Sequence, residues 1–310
     1  MASERRRDGS VPHPIPYQGS KRALAPRILS VVQGLNFKTL YEPFAGSAAL
    51  SLAAAKRRLA GEFRISDSLA PLVGVWKMIV QEPERLAAEY AEVWNGQLDG
   101  GDDYYVRVRD DYNRGNEPAL LLYLLARCVK NAPRFNKEGL FNQSADRRRL
   151  GMRPAKMERE ILGASALLRD RARVDHGDFE ESLRDATAAD LVYMDPPWQG
   201  TTDGPHKRYH QGLSRTRLIT ALEGLNARKV PFLLSYDGRC GDKTYGEPLS
   251  AELGLLRLEL HAGRSSQSTL AGREENTVES LYVSPALSRR TKGRLEQPGG
   301  QLELWARITA

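Results

Sequence analysis

The sequence predicts an α/β protein in which an open, parallel sheet is covered by helices and interrupted by one long helical insertion. Three stretches carry that prediction. Leu191-Val192-Tyr193-Met194 is an unbroken apolar run, the pattern of a parallel strand buried on both faces, and Pro196 and Pro197 end it by removing two backbone donors. Thr39 to Leu59 reads as a strand, a tight glycine turn and an alanine-rich helix. From Ala70 to Leu168 apolar residues recur at helical spacing and no strand pattern intervenes. The 310 residues suit one large domain with an insertion: 14–69 and 169–285 build the sheet, 70–168 is the insertion, and 286–310 is a tail.

In chain order, residues 1–13 are polar and Arg-rich and are expected to form a disordered basic arm, with Pro12, Pro14 and Pro16 leading into an extended entry. Tyr17-Gln18-Gly19-Ser20-Lys21 precedes an amphipathic helix with Leu24, Ile28, Leu29 and Val32 on one face. Ser20 reads as its cap, and Lys21 beside free N–H groups suits a carboxylate; a plain cap accounts for the same residues. Thr39 to Ala48 is the first strand and its turn, without the triple-glycine dinucleotide fingerprint. Asp67 closes a second strand, Phe63–Ser66, 21 residues after Gly46, an offset that suits a pair of ribose hydroxyls as well as a helix cap.

The insertion holds the charge. Arg107 to Arg159 contains 13 Lys or Arg against 6 Asp or Glu, and the rest of the chain has 33 of each sign, so the net +7 resides in this one segment. That is the footprint of a nucleic-acid-binding module. Lys130, Asn131, Arg134, Asn136 and Lys137 form a turn-prone mixture of cations and amides around Phe135, and Arg147, Arg148 and Arg149 follow. Cations place a protein on phosphates, and Asn and Arg read base edges.

The sheet resumes at Ala172–His176, ending in Gly177-Asp178-Phe179, and then at the run that closes on Asp195. Thr201 to Gly212, with Lys207, Arg208, Tyr209 and His210, is a polar loop placed to cover the sheet's rim. Ser214 is read as the cap of a helix through Ala227, and Val230–Tyr236 as a buried strand. Leu255–Glu259 and Val278–Val283 alternate like a hairpin, and Gln301–Ile308 alternates as an edge strand.

Asp195-Pro196-Pro197-Trp198 arises by chance roughly 0.003 times in a chain of this length, and it stands at a strand's carboxyl end, where open α/β sheets bind ligands. A carboxylate and a backbone carbonyl accepting two N–H bonds from an exocyclic base amine aim its lone pair at an electrophile. Asp195 and the Pro196 carbonyl are the candidate acceptors, and Trp198 offers a face for a base taken out of its duplex. With 41% hydrophobic residues and no apolar run near ~18 residues, no membrane span is expected, nor is a signal peptide. Two cysteines and five histidines lack metal-ligand spacing, so metal catalysis is not expected, and the cytoplasm is the expected compartment.

These segments, in this order from Tyr17 to Pro285, resemble the DNA adenine methylase family of N6-adenine DNA methyltransferases. Tyr17–Lys21 is similar to the family's opening motif, Tyr41–Ser47 to its cofactor loop, Ile65–Asp67 to its ribose-binding strand end and Lys130–Asn136 to its target-recognition region. Gly177–Phe179 resembles the segment near the cofactor adenine, Asp195–Trp198 the catalytic motif, and Leu233–Asp237 and Arg264–Ser266 the later motifs. The resemblance implies a Rossmann-like methyltransferase sheet of seven strands, one antiparallel, with S-adenosylmethionine as donor and adenine in double-stranded DNA as acceptor. Tyr17 and Lys21 are implied at the methionine end, Glu42, Phe44 and Gly46 in the loop, Asp67 on the ribose, Asp178 and Phe179 at the adenine, and Asp195 facing both donor and acceptor. Lys130, Asn131, Arg134, Asn136, Lys137, Arg147, Arg148, Arg149 and Tyr209 are implied on the DNA. Two departures stand out. Ala48 replaces the family's second loop glycine, tolerable if its backbone is not left-handed, and Trp198 replaces Tyr or Phe. Cytosine N4, adenine in RNA, and a DNA-binding protein with a vestigial cofactor site stay open as alternatives, as does a restriction endonuclease partner; the sequence points to no obligate protein partner.

Overall fold

Alternation along the apolar runs decides the architecture. Leu191 and Tyr193 face one hydrophobic core and Val192 and Met194 another, so the expected strand is buried on both sides. The computed structural model describes residues 10–197, 213–240, 243–264 and 276–291. Its strands are β1 (Phe37–Glu42), β2 (Ala60–Asp67), β3 (Ala172–His176), β4 (Leu191–Met194), β5 (Phe232–Cys240), β6 (Lys243–Tyr245), β7 (Leu256–Arg264) and β8 (Asn276–Val283). Seven of them lie in the order β3-β2-β1-β4-β5-β8-β7. β8 pairs antiparallel with both β5 and β7, so it alone on this path runs against the others. The three-residue β6 hairpins onto β5 as an eighth strand that the sequence pattern did not announce.

The helices are α1 (Ala25–Ser30), α2 (Ala49–Lys56), α3 (Ala70–Gln81), α4 (Pro83–Asp99), α5 (Tyr104–Gly115), α6 (Pro118–Arg127), α7 (Pro154–Leu168), α8 (Phe179–Ser182), α9 (Arg215–Ala227) and α10 (Pro285–Arg290). Four begin with Pro in the first turn after the N-cap within 70–168, where proline's missing N–H costs no hydrogen bond. The expected helix after Ser20 is two pieces, a 3₁₀ turn at Lys21–Ala23 and then α1. Ser214 occupies the N-cap position of α9, but its hydroxyl makes no capping bond. The helices of 70–168 share one core with the sheet: Trp76, Tyr90, Tyr105, Tyr112 and Tyr123 belong to the same cluster as Leu40, Phe63 and Leu191. Among the described residues no helix is long and apolar enough to cross a membrane. Residues 1–9, Trp198, the expected cover at 201–212 with Tyr209, Ser265 and Ser266, and the expected edge strand at 301–308 lie outside the described residues.

Strand order reverses between β1 and β4: the chain winds from β1 to β3 on one side, then from β4 outward on the other. The turn after β1 and Asp195 after β4 therefore flank the crevice where parallel sheets bind ligands.

Ala48, at the start of α2, is left-handed, with φ 44° and ψ 38°. The tolerance expected for alanine required the opposite. Two effects offset the strain of about 1–2 kcal/mol: its methyl group is fully buried, which contributes about 0.8 kcal/mol, and alanine orders at less entropic cost than glycine. Ala48→Gly is therefore expected to change stability by less than about 1 kcal/mol, whereas β-branched Ala48→Val, a steric outlier at this dihedral, loses more than about 2 kcal/mol in urea denaturation.

Candidate active site

The turn from β1 into α2 is fixed at every polar atom that matters. Gly46 has φ +49°, and a Cβ there would meet the Tyr17 ring at 3.5 Å. Its N–H donates to Asp67 Oδ2 at 2.9 Å, and its carbonyl accepts the Trp76 indole N–H at 2.9 Å. Ser47 Oγ donates to Ser20 Oγ at 2.7 Å, tying the turn to the 17–21 segment. Because Ala48 has no side chain with which to cap α2, Glu42 does so from β1: its Oε2 accepts the Ser51 N–H at 2.8 Å. Burial raises the Glu42 pKa to about 7, against the bonds from Ser51 that lower it. Glu42, a predicted cofactor residue, thus supports the loop from beneath.

Asp67 ends β2 with both oxygens engaged, Oδ2 by Gly46 and Oδ1 by the Leu69 N–H at 2.9 Å, which joins the turn to the start of α3. Each oxygen keeps a second lone pair for another donor. Burial raises the Asp67 pKa, opposed chiefly by these two backbone bonds. The neighbouring strand end brings Asp178, which caps α8 through the Glu180 N–H, and Phe179, which stacks on Phe44 with centroids 5.2 Å apart. Arg217 spans both, donating to Asp178 at 2.8 Å with its guanidinium 5.3 Å from the Phe179 ring centre. Tyr17, Phe44, Gly46, Asp67, Asp178 and Phe179 are therefore gathered around the β1–β2–β3 side of the crevice.

On the β4 side, Lys21 Nζ lies 3.1 Å from Asp195 Oδ1 and 3.0 Å from Glu279 Oε2. Lys21 was expected at a methionine carboxylate, and here two protein carboxylates hold it. Its side chain is 9% exposed and that of Asp195 20%, so the acid alone of the two faces the crevice appreciably. Burial raises the Asp195 pKa to about 6; Lys21 lowers it and Glu279 raises it. Burial opposes the charge on Lys21, but the two carboxylates outweigh it and its pKa lies above the ordinary lysine value. Among the described residues none hydrogen-bonds Asp195 Oδ2. Glu279 was missed in the sequence, where the signal is the one charged residue in the strand Asn276–Val283.

The predicted DNA-facing residues Lys130 to Lys137 lie on a hairpin-like excursion, with isolated bridges pairing Cys128 with Ala145 and Phe135 with Phe141, and Arg147 to Arg149 follow directly after it. Lys130, Lys137 and Arg147 are exposed. The two amides have local tasks: Asn131 Nδ2 donates to the Leu125 carbonyl at 2.7 Å, and Asn136 Oδ1 accepts the Leu140 N–H at 2.8 Å. Arg148 and Arg149 both pair with Asp146, at 3.0 and 3.1 Å. Arg148, through its side chain and its backbone N–H, draws the Asp146 pKa down to about 2. Arg134 is half-buried, with its Nε unpaired among the described residues. Gln18 N–H donates to the Asn131 carbonyl at 2.9 Å, so this excursion is bonded directly to the segment that carries Lys21.

A mostly parallel sheet with a half-buried carboxylate at its switch point and a basic helical segment alongside suits an enzyme that modifies a nucleic-acid base. The model of the D12 class N6 adenine-specific DNA methyltransferases matches residues 17–260, and the chain belongs to that family. It is 22% identical over 281 residues to the type II methyltransferase M1.LlaDCHI of Lactococcus lactis subsp. cremoris, covering 86% of this chain and 94% of that protein. It is 25% identical over 202 residues to the retron Ec67 DNA adenine methylase of Escherichia coli, covering 63% of this chain and 67% of that one. It is 26% identical over 175 residues to the type II methyltransferase M.MjaIII of Methanocaldococcus jannaschii, covering 53% and 60%. Membership decides for adenine N6 in DNA over cytosine N4 and RNA, and for an enzyme over a vestigial site. Use of S-adenosylmethionine and base flipping are general to the family.

Removing Lys21 should change how the protein titrates. A carboxyl whose folded pKa, about 6, exceeds its ordinary 3.8 holds a proton that the unfolded chain releases, so its contribution is complete at low pH and is lost as pH rises through 6. In Lys21→Met the charge that lowers Asp195 is gone, so thermal melts across pH 4–8 are expected to show the decline continuing to higher pH than in the unsubstituted protein.

Proposed function

We propose that Asp195 orients the target adenine for methyl transfer, accepting one N6 hydrogen at Oδ2 while the Pro196 carbonyl accepts the other. The observation that carries this is the position of Asp195: it ends β4 at the switch point, with Oδ1 held by Lys21 and Oδ2 unpaired among the described residues. Two acceptors on a proline-stiffened turn favour a tetrahedral nitrogen with its lone pair aimed away from them. When bound, S-adenosylmethionine would supply an electrophilic methyl group on a sulfonium, with the C–S electron pair left on sulfur; Asp195 and the Pro196 carbonyl would hold N6 with its lone pair towards that methyl, and the proton N6 gives up would pass through these acceptors to solvent.

The residues on the other side of the crevice fit that cofactor. Asp67 keeps lone pairs for the ribose hydroxyls, Phe44 and Asp178 offer a flat and a polar surface for the adenine with Phe179 buried behind Phe44, and Tyr17 with the Gly46 turn borders the remaining length. Glu42 acts through the loop it supports. We place Lys21 on the acceptor side, because the two carboxylates that pair with it among the described residues are there. Pro197 stiffens the turn, and Trp198 and Tyr209 are assigned from the sequence to the flipped base and the DNA.

Lys130, Arg134, Lys137, Arg147, Arg148 and Arg149 are assigned to the duplex by their charge. Asn131 and Asn136 shape the hairpin on which those cations stand. A restriction endonuclease partner fits the type II names of two relatives. The cytoplasm, where DNA and cofactor meet, is the proposed compartment.

Incubation with labelled S-adenosylmethionine and plasmid DNA, followed by nucleoside analysis, tests the reaction: label is expected in N6-methyladenine, and its absence from DNA overturns the reading. Asp195→Ala is expected to lower kcat by about 1,000-fold or more while DNA affinity changes little. Since the carboxylate is the working form, kcat/KM should rise with pH to a plateau, with its midpoint near the free-protein Asp195 value of about 6.

A further inference from the structure

Glu279 lies beyond the residues matched by the family model, yet it completes the ion cluster at the acceptor carboxylate. We propose that Glu279 is a positioning residue for methyl transfer: by sharing the Lys21 ammonium with Asp195, it holds that cation at one edge of the acceptor and leaves the site with a net negative charge to receive the amine. This rests on the reading of Asp195 as the amine's acceptor.

The geometry has two parts. Lys21 Nζ sits between Asp195 Oδ1 and Glu279 Oε2 at 3.1 and 3.0 Å, so each carboxylate restrains it from moving fully onto the other. Without Glu279, the restraint that draws the ammonium away from the Asp195 oxygen assigned to the amine is lost, and the remaining Lys21–Asp195 pair is neutral. During transfer N6 gains positive charge that it discharges by losing a proton, so a cluster of one cation and two anions stabilises that state where a neutral pair does not.

The second part is how Glu279 reaches the cluster. β5 and β8 are in register at Ser235 opposite Leu281 and again at Gly238 opposite Glu279, so β5 carries one extra residue between these pairs, a bulge that re-aims the strand beside Glu279. Asp237, inside the bulge, is 2% exposed and accepts from Ser280, Tyr282 and Arg257, which fixes the irregularity in place. Among the described residues, the charged and titratable groups facing Asp195 are Lys21 from the N-terminal segment, Glu279 from β8, Glu42 from β1 and Tyr193 from β4. Of these, Glu279 pairs with Lys21 directly.

Glu279→Gln keeps the shape and removes the charge. Its melting temperature and its calorimetric affinity for S-adenosylhomocysteine are expected to stay close to those of the unsubstituted protein, while plateau kcat on plasmid DNA falls by about tenfold or more. Asp195, followed by carbon-13 titration of labelled aspartate, is expected to titrate lower than its original value of about 6, because a repelling neighbour has gone and Lys21 remains. A packing role moves neither the carbon-13 midpoint nor the acid limb of kcat/KM in that direction. Unchanged plateau kcat, or an unmoved Asp195 midpoint, overturns the assignment. Glu279→Asp, which keeps the charge but withdraws it by one methylene, is expected to retain the midpoint with intermediate kcat, and it carries the test should the Gln variant misfold. Asp195→Asn separates the two proposals: its retained turnover sinks the acceptor reading, whereas its loss beside a normal Glu279→Gln removes Glu279 alone.

Discussion

One buried ammonium ties together three distant parts of the chain. Lys21 comes from the segment before the first helix, Asp195 from the end of β4 and Glu279 from β8. Burying three charges is expensive, and a buried ion pair is poor evidence for stability. The cluster is better understood as a constraint on position: the opening segment, the central strand and the antiparallel strand cannot shift independently without exposing an unpaired charge in a low-dielectric crevice. The Gly46 turn is constrained in the same way from the other side, by Asp67, Trp76 and Ser20. Both walls of the crevice are therefore set before any ligand arrives.

Much of this was legible because it rests on local pattern. Ala172–His176 and Leu191–Met194 stand where periodicity puts them, and Asp67 and Asp195 end their strands as the turn residues require. The β7–β8 pairing follows from period-two alternation on both strands. The helical spacing over 70–168 does not delimit α5, whose buried face consists of Tyr105, Val108 and Tyr112 in a segment otherwise rich in charge. β6 is too short to carry a period.

The site divides along the same line. Residue types at strand ends were readable, but partners were not. Lys21 and Glu279 are 258 positions apart, and no spacing rule joins them. Glu42 was grouped with the cofactor loop by its sequence neighbours, whereas the left-handed Ala48 leaves it a structural task at α2. Arg148 and Arg149 contribute to the segment's net charge, yet each shares Asp146, so their charge is partly answered inside the protein. Asp237 looked like one more motif acid and instead locks a bulge.

The bond from Gln18 to Asn131 has an evolutionary consequence. It joins the segment carrying Lys21 to the basic excursion through an amide N–H and a carbonyl, groups that every residue but proline supplies on the donor side and that all supply on the acceptor side. The two non-glycine residues that present this carbonyl, Lys130 and Asn131, are both left-handed, with φ of 59° and 51°. Side chains farther along the excursion are thus free to vary without breaking its attachment to the chemistry. Under the proposed assignment of the hairpin to DNA, a protein arranged in this way can acquire a new recognition sequence by substitution there while its reaction stays under unchanged selection.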